Sequence, residues 1–308
     1  MEKRKTIALG KTTLVVSLPS KWTKKYGVTA GTYVSLTEDR RGLLYLAPET
    51  VELGERKTRL GIPSSFDETS ITKVLQSSYC AGYDEIVLEC ANSSEIIKQV
   101  ESALSDLVSM EITSQTKDTI TLRDISGKSK EEIGSLVRRS FFIIVELSKD
   151  SLAAFKERNN RMLLDLSKRD LAVDRLCFFS LRQMNKSIYE LEKVPASFAF
   201  VMLAERLADL YSKVCTQASK FTEKRLEPDI IDLWDHINCI VEHIFKNYNK
   251  IDQKTFMPLF NKKKEIEKIT DRIIAKSKEP ETIKLVLLFQ RIVELCCELM
   301  FAELIKEA

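Results

Sequence analysis

The sequence has few of the side chains on which many enzyme active sites depend. Its only two histidines, His236 and His243, lie seven residues apart, and Leu233 and Ile240 stand three residues before them. The Glu-x-x-His motif of di-iron carboxylate oxidases is therefore absent, and so few histidines support no Ser/His/Asp or Cys/His set. None of the nine glycines forms a phosphate-cradling loop. We therefore assign no catalytic residue, expect no enzyme, and expect both histidines to be packed or surface residues.

Long apolar runs and paired cysteine motifs are also missing. No run reaches the roughly 18 to 20 apolar residues that a membrane span needs. The basic start, Met1 to Lys5, leads into a short strand-like run instead of a signal-peptide core, so we expect a cytoplasmic protein that does not span the membrane. No C-x-x-C pair suggests zinc or redox chemistry. We expect all seven cysteines to be reduced core residues: Cys80, Cys90, Cys177, Cys215, Cys239, Cys296 and Cys297.

The charge is unevenly distributed along a chain long enough for roughly two domains. The 308 residues carry a formal charge of +3. Residues 1–41 hold 9 Lys/Arg against 3 Asp/Glu, residues 42–125 hold 7 against 14, and residues 126–308 hold 32 against 28. Only the first segment is basic for its length, which points to a polyanion as its partner.

The basic segment has the pattern of a small β domain, which we bound at residues 1–48. Turn signals at Gly10-Lys11 and Thr29-Ala30-Gly31 separate its elements, and Gly27 is placed to end a helix in the left-handed conformation. So small a unit should need a partner chain to complete its core. The predicted elements are strands Thr6–Leu9 and Thr12–Leu18, a helix Lys21–Tyr26 with Ser20 as N-cap, and a hairpin of Tyr33–Leu36 with Leu43–Leu46.

These residues resemble the AbrB/SpoVT/MazE swapped-hairpin domain. The segments that carry the resemblance are Lys5-Thr6-Ile7, Gly10-Lys11-Thr12, Val15-Val16-Ser17-Leu18-Pro19, Lys21-Trp22 and Gly27-Val28-Thr29-Ala30-Gly31. Thr32 stands where that family usually has Asp. The resemblance implies an obligate dimer with interleaved hairpins and a basic surface for double-stranded DNA. The implied contacts are Lys3, Arg4, Lys5, Lys11, Lys21, Lys24 and Lys25, whose charges would neutralise phosphates. The alternative is a solvated basic rim on a dimerisation module.

Residues 49–125 predict a small α/β domain, which we call the connector. Its acidic balance makes it a poor surface for nucleic acid, so we interpret it as a structural link. The predicted elements are helices Ile71–Cys80 and Ser94–Val108, the second capped at Ser93 or Ser94, a strand Glu85–Glu89, and a hairpin of Met110–Ser114 with Thr119–Leu122.

Residues 126–308 predict a bundle of six amphipathic helices. Four prolines, Pro195, Pro228, Pro258 and Pro280, fall at or near predicted helix starts. The predicted helices are Lys130–Arg158, Arg161–Ser187, Ala196–Thr222, Asp229–Asn249, Gln253–Lys278 and Glu281–Lys306.

The second of these helices has an acid in its apolar stripe. Asp170 lies between Leu166 and Val173 at helical spacing, and Asp174 stands one turn further. Water, neighbouring arginines or a bound cation could offset this repulsion. The pattern repeats, which divides the bundle into three-helix halves of about residues 126–225 and 226–308. Asp170-x-x-x-Asp174-Arg175 recurs as Glu267-x-x-x-Asp271-Arg272, and Glu205-Arg206-x-x-Asp209 recurs as Gln290-Arg291-x-x-Glu294, followed by Glu298.

This layout resembles the PhoU family of phosphate-uptake regulators. The resemblance implies metal clusters on the bundle and contact with phosphate transporter components or a sensor protein. Carried over by position, the ligands would be Asp170, Asp174, Glu205 and Asp209 in the first half, and Glu267, Asp271, Glu294 and Glu298 in the second. Gln290 replaces an acid, which weakens the second set. Independently of the family, facing carboxylates suit divalent or trivalent ions such as Fe, Mn, Zn or Mg. The alternative is an ion network with Arg169, Arg175, Arg206, Arg272 and Arg291.

The sequence thus predicts a multidomain protein of α+β and all-α parts. An AbrB-like swapped-hairpin domain is followed by the α/β connector and by a six-helix bundle of two PhoU-like three-helix repeats. The predicted function is a DNA-binding transcription regulator of phosphate homeostasis that acts as a homodimer or higher homo-oligomer. The alternative is a signalling adaptor that dimerises through the AbrB-like domain and contacts a phosphate transporter or sensor kinase without binding DNA.

Overall fold

A computed structural model describes residues 3–38, 42–48, 55–126, 132–186, 194–221, 228–250 and 252–307. The chain divides into two compact units, Met1–Glu55 and Arg56–Ala308. The predicted boundary between connector and bundle at residue 125 therefore falls inside the second unit. Within the described ranges, no helix is long and apolar enough to cross a membrane.

The described residues of the first unit form two separate antiparallel hairpins and one short helix. Strand β1 (Thr6–Leu9) pairs with β2 (Thr13–Val16), and β3 (Val34–Glu38) pairs with β4 (Leu44–Pro48). Helix α1 spans Ser20–Lys25. Ser20 is the first helical residue, so the predicted Ser20 cap is wrong: Pro19 occupies the N-cap position without a side-chain hydrogen bond. Gly27, at φ +62°, adopts the left-handed conformation that its sequence position predicts.

None of the described residues of this first unit is buried. Apolar side chains that alternate along its strands, including Ile7, Leu9, Leu14, Leu36 and Leu44, remain exposed in the single chain. An isolated two-stranded hairpin is at best marginally stable in water. The described residues of the first unit thus form no hydrophobic core of their own.

The connector forms a four-stranded mixed sheet with two helices. Its elements are β5 (Lys57–Ile62), α2 (Glu68–Cys80), β6 (Glu85–Cys90), α3 (Ser93–Leu104), β7 (Met110–Gln115) and β8 (Thr119–Asp124). The strand order is β5-β6-β8-β7, with β5 parallel to β6 and the other pairs antiparallel.

Three details of the connector differ from the sequence prediction. Strand β5 was not predicted, because charged Lys57 and Arg59 alternate along it. The N-cap of α3 is Asn92, whose side chain accepts a hydrogen bond from the amide of Ser94, so neither Ser93 nor Ser94 is the cap. Helix α3 ends at Leu104 instead of Val108, and the turn that follows reaches Ser109 at φ +63°.

Seven helices follow in the described part of residues 132–307, one more than predicted. They are α4 (Ile133–Lys156), α5 (Asn160–Leu166), α6 (Asp170–Lys186), α7 (Val194–Ala218), α8 (Pro228–Lys246), α9 (Gln253–Lys276) and α10 (Pro280–Glu307). Pro258 lies inside α9 and not at its start.

The extra helix arises because the predicted segment Arg161–Ser187 is broken before Asp170. Turn-type hydrogen bonds replace helical ones at the break: the amide of Lys168 donates to the carbonyl of Asp165, and that of Arg169 to the carbonyl of Leu166. The carbonyl of Arg169 then accepts from the amide of Ala172. As a result, Asp170 is the first residue of α6 and not an interior residue of a longer helix.

Connector and helices share one continuous hydrophobic core. Ile86 and Leu88 of β6 are buried with Tyr79 of α2, and the core continues through the helices to Trp234 of α8 and Phe289 of α10. A buried polar group lies inside the helical part, where the Tyr211 hydroxyl donates to Asn238 Oδ1 at 2.8 Å and Asn238 Nδ2 donates to the carbonyl of Ser148 at 2.7 Å. These hydrogen bonds join α7 to α8 and α8 to α4.

Candidate metal centre

The break before α6 places an acid at a helix start beside α7. Asp170 Oδ1 accepts a hydrogen bond from the amide of Leu171 at 2.9 Å. Ser212 of α7 donates its hydroxyl to the carbonyl of Ser167 at 2.5 Å, which fixes the broken segment against that helix. A carboxylate is electrostatically favoured at a helix N-terminus.

Three carboxylates from α6 and α7 converge. One oxygen from each of Asp174, Glu205 and Asp209 lies within 4.8 Å of the others, and all three side chains are half-buried. Glu205 and Asp209 are four residues apart, so they project from the same face of α7. Asp170 neighbours this carboxylate cluster, because its charge acts on Asp174. The structure therefore gathers three of the four acids assigned to the first half and places the fourth nearby.

The carboxylate cluster carries strong mutual repulsion. Burial raises the pKa of Asp174 to about 8, and the charges of Glu205, Asp209, Asp170 and Asp106 add to the shift. Burial, followed by the charge of Asp209, also raises the pKa of Glu205. Burial is likewise the largest cause of the raised pKa of Asp170. Each shift therefore reflects burial of a carboxylate among like charges, which Lys73, Arg206 and Lys213 offset only in part at Glu205.

The donor set fits a hard cation. Asp174 Oδ1 is buried and has no hydrogen-bond partner, which is costly for a carboxylate oxygen unless a proton or cation occupies that position. The three convergent groups are all carboxylates, and oxygen ligands suit Mg²⁺ and Mn²⁺. No histidine or cysteine belongs to this cluster among the described residues.

The arginine network that could have neutralised these acids does not form among the described residues. Arg169 instead pairs with Asp150, its Nη1 lying 2.5 Å from Oδ2. Within the described ranges, no salt bridge joins Arg175 or Arg206 to a member of the carboxylate cluster.

The acids assigned to the second half do not gather in the same way. Glu267, Asp271, Glu294 and Glu298 are exposed, and Glu267 pairs with Lys263 at 3.6 Å. Gln290, which stands at the position of Glu205, donates to Thr270 Oγ1 at 2.8 Å. That amide therefore joins α10 to α9 instead of facing a ligand. Among the described residues, one carboxylate cluster is found and it lies in the first half.

Two of the second-half acids line a cleft beside α7. Glu294 and Glu298 of α10 face Asp209 of α7 across a cleft of about 110 Å³. The other lining side chains are Arg206, Leu210, Lys213, Arg291 and Leu295. The cleft thus mixes both signs of charge and adjoins the carboxylate cluster through Asp209.

The seven predicted DNA contacts are exposed in the first unit. Lys3, Arg4 and Lys5 precede β1, Lys11 lies in the turn after it, and the other three, Lys21, Lys24 and Lys25, lie on α1. Arg4 Nη1 donates to Ser17 Oγ at 2.9 Å. The Lys25 ammonium lies 5.1 Å from the centre of the Tyr26 ring. Their role in DNA binding stays a prediction.

One of the two histidines lies on the surface, and the other is partly packed. His236 is exposed, with Nδ1 2.7 Å from the carbonyl of Asp232. His243 is half-buried, and burial, with Lys262 and Lys246, lowers its pKa.

The cysteines are less uniformly buried than predicted. All are free thiols, but Cys239 is exposed, because it occupies the solvent face of α8, and Cys80, Cys90 and Cys297 are half-buried. Only Cys177, Cys215 and Cys296 are core residues as predicted.

Comparison with known proteins finds a solved structure of similar fold. No protein-family model and no curated protein matches the chain by sequence. In structure, the chain is similar to the phosphate transport system regulatory protein PhoU from Streptococcus pneumoniae, with 11% identity and a TM-score of 0.52. The match covers 57% of this chain and 93% of the PhoU chain. The chain therefore contains a PhoU-like helical fold, and the AbrB-like domain stays a prediction.

Proposed function

We propose that the protein regulates phosphate uptake in response to a cation bound at the carboxylate cluster. The observation that carries the proposal is the cluster itself: Asp174, Glu205 and Asp209 converge, half-buried and without a salt bridge to a basic side chain among the described residues, on a PhoU-like fold. A bound cation would supply the missing positive charge and join α6 to α7. Asp170, at the start of α6, would support the site from its rim.

The cation site is tested by metal content. Protein purified without chelator and without an affinity-nickel step should contain Fe, Mn, Zn or Mg by elemental mass spectrometry, and the double variant Asp170→Asn/Asp174→Asn should lose it. Asp165→Asn is the matched control, because Asp165 is an exposed acid on α5, outside the carboxylate cluster. Equal metal content in all three proteins would reject the site.

We further propose that the first unit is the output, a dimeric reader of double-stranded DNA. Its excess of exposed basic residues and its lack of any described buried residue support this role, because the first suits phosphate contacts and the second requires a partner chain. Cation binding would shift the conformation or assembly of the chain and thereby its affinity for DNA.

DNA binding is tested by its salt dependence. Binding of the full chain to duplex DNA should weaken steeply as salt rises, and the triple variant Lys5→Glu/Lys11→Glu/Lys21→Glu should abolish it. Lys117→Glu, in the connector, is the control and should bind as wild type does. Unchanged binding by the triple variant would reject the assigned surface. A chain that recovers transport components in a pull-down but binds no DNA would instead be the adaptor.

A further inference from the structure

Helix α9 has a larger excess of positive charge than any other helix in the described part of the chain. Over Gln253–Lys276 it holds seven Lys/Arg against three Asp/Glu. Helix α8, which precedes it, has the opposite balance, with one lysine against four acids. Residues 126–308 hold 32 Lys/Arg against 28 Asp/Glu, so the excess on α9 alone equals that of the whole bundle.

The inner side of α9 packs into the core at regular spacing. Leu259, Ile266 and Ile273 follow one another seven residues apart, and each is 3% exposed. Thr270, beside them, is fully buried. Residues seven apart lie on the same side of a helix. The opposite side of α9 therefore faces away from the core.

Basic side chains follow one another along that opposite side. Its residues recur three or four apart and are all exposed: Lys254, Met257, Asn261, Lys264, Lys268 and Arg272. We call this set the α9 face. At 1.5 Å of rise per residue it extends about 27 Å along the helix. Four of its six side chains are cationic, so it is a continuous basic surface.

The charges of the α9 face take part in no salt bridge within the described ranges. The salt bridges nearest in sequence join Lys263 to Glu267 at 3.6 Å and Lys246 to Glu242 at 3.2 Å, and none of these four residues belongs to the face. The exposed acids beside it on α9, Glu265 and Asp271, form no salt bridge with it either. The basic charges are therefore available to an external polyanion.

The N-terminal part of the α9 face also exposes an apolar side chain. Met257 is 53% exposed and lies between Lys254 and Lys264 along the face. Beside it, the Lys264 ammonium lies 5.2 Å from the centre of the half-buried Phe260 ring. An exposed methionine gains little beside the phosphates of a nucleic acid, but it is favourable at the boundary between lipid headgroups and acyl chains.

The kind of cation favours the same partner. Three of the four charges of the α9 face are lysines, whose ammonium is a compact charge on a flexible apolar stem. Such stems lie along apolar surface while the charge stays with water and headgroups. A layer of mobile headgroup phosphates requires a density of charge and no fixed fork geometry.

We propose that the α9 face binds a membrane surface rich in anionic phospholipid. Its lysines and Arg272 would contact headgroup phosphates, and Met257 would enter the boundary beneath them. The inner side of α9 would stay packed in the core, so the helix would lie along the membrane surface without spanning it. The inference depends neither on the cation site nor on DNA binding.

The test is cosedimentation of the full chain with vesicles of phosphatidylglycerol and phosphatidylcholine in equal parts. Wild type should bind them, less tightly as salt rises, and should not bind vesicles of phosphatidylcholine alone. Lys264→Gln/Lys268→Gln removes two charges and should weaken binding about 10-fold or more. Met257→Gln should weaken it several-fold.

Two controls separate the α9 face from other basic surfaces. Lys98→Gln/Lys156→Gln removes two exposed charges from α3 and α4 and should bind vesicles as wild type does. The first unit is basic too, so Lys5→Glu/Lys11→Glu/Lys21→Glu is the second control, and it should retain vesicle binding. Conversely, Lys264→Gln/Lys268→Gln should bind duplex DNA as wild type does.

Three results would overturn the proposal. The first is a wild-type chain that does not sediment with the anionic vesicles, and the second is a Lys264→Gln/Lys268→Gln chain that binds them as well as wild type or binds duplex DNA less well. The third is loss of vesicle binding in the first-unit triple variant, which would place the lipid contact there. None of these results bears on the cation site, which is tested by metal content.

Discussion

At the scale of single residues, Asp174 is a half-buried carboxylate surrounded by other negative charges. One of its oxygens is buried without a hydrogen-bond partner, and its neighbours Glu205, Asp209 and Asp170 are all acids. A lone charge in this position must be neutralised by a proton or by a cation. The two occupants therefore compete, which makes pH a direct probe of the site.

The stability of the cation-free chain should fall as pH rises from about 4 to 8. Burial raises the pKa of Asp174 from its ordinary value of 3.8 to about 8, and the charges of Glu205 and Asp209 of α7, Asp170 of α6 and Asp106 of the connector add to the shift. Between these values the folded state binds more protons than the unfolded state, so stability is lost as the proton leaves.

The measurement is chemical denaturation in chelator across this pH range, on wild type and on Asp174→Asn. The variant cannot ionise at this position and should show a shallower loss of stability. Added Mn²⁺ should flatten the wild-type curve, because the ion replaces the proton. Identical pH profiles for wild type and variant would show that Asp174 is not the titrating group.

The sequence identified all three residues of the carboxylate cluster but not its surroundings. Asp174, Glu205 and Asp209 could be proposed because helical spacing and an internal repeat distinguish them from other acids. The charge of Asp106 on Asp174 could not be predicted, since Asp106 lies in an aperiodic turn between α3 and β7 that is held by tertiary contacts such as the hydrogen bond from Tyr79 to the carbonyl of Val108. A sequence pattern reports neighbours along one element, whereas this charge acts from another.

At the scale of elements, the amphipathic periodicity of the sequence predicts the long helices but not the break between α5 and α6. Ser167, Lys168 and Arg169 contain neither glycine nor proline, so nothing local marks the break before α6. The apolar stripe continues in phase across it, with Leu166 and Val173 both buried. The sequence does not predict strand β5, because its own strand signal is weak. Pairing with the parallel strand β6 stabilises it instead.

The turn that joins α2 to β6 should tolerate only glycine. Gly82 has φ +88°, and a Cβ there would meet Lys186 Cγ at 3.0 Å and Arg56 Nη1 at 3.2 Å. Gly82→Ala should therefore destabilise the chain by about 1 to 3 kcal/mol, through backbone strain and displacement of Lys186 from the connector.

Gly134→Ala is the matched control for this prediction. A Cβ on Gly134, near the start of α4, would meet no atom within 4 Å, and alanine favours helix, so this variant should be neutral or stabilised by up to about 1 kcal/mol. Both changes in the unfolding free energy are read from denaturant titrations. Equal effects of the two variants would show that the α2–β6 turn is not constrained.

At the scale of the whole molecule, the first unit should hold two chains together. Leu14 is 70% exposed in the single chain, and other strand residues of this unit are exposed with it. Apolar surface of this kind is favourably buried against a partner. Wild type should therefore sediment as a dimer or larger species, and Leu14→Lys should shift it toward monomer in analytical ultracentrifugation.

Leu287→Lys serves as the control, because Leu287 of α10 is 46% exposed but belongs to the second unit. It should leave the oligomeric state unchanged. A Leu14→Lys chain that remains as large as wild type would place self-association elsewhere on the molecule.

Under the proposed function, the hydrogen bond from Gln290 to Thr270 would also limit how sharply the protein can respond to a cation. This amide occupies the place of an acid in the repeat, so among the described residues only the first half of each chain gathers carboxylates. A chain with one responding half titrates along a simple hyperbola. The Hill coefficient of an assembly cannot exceed its number of sites, so any switch-like threshold must arise between chains.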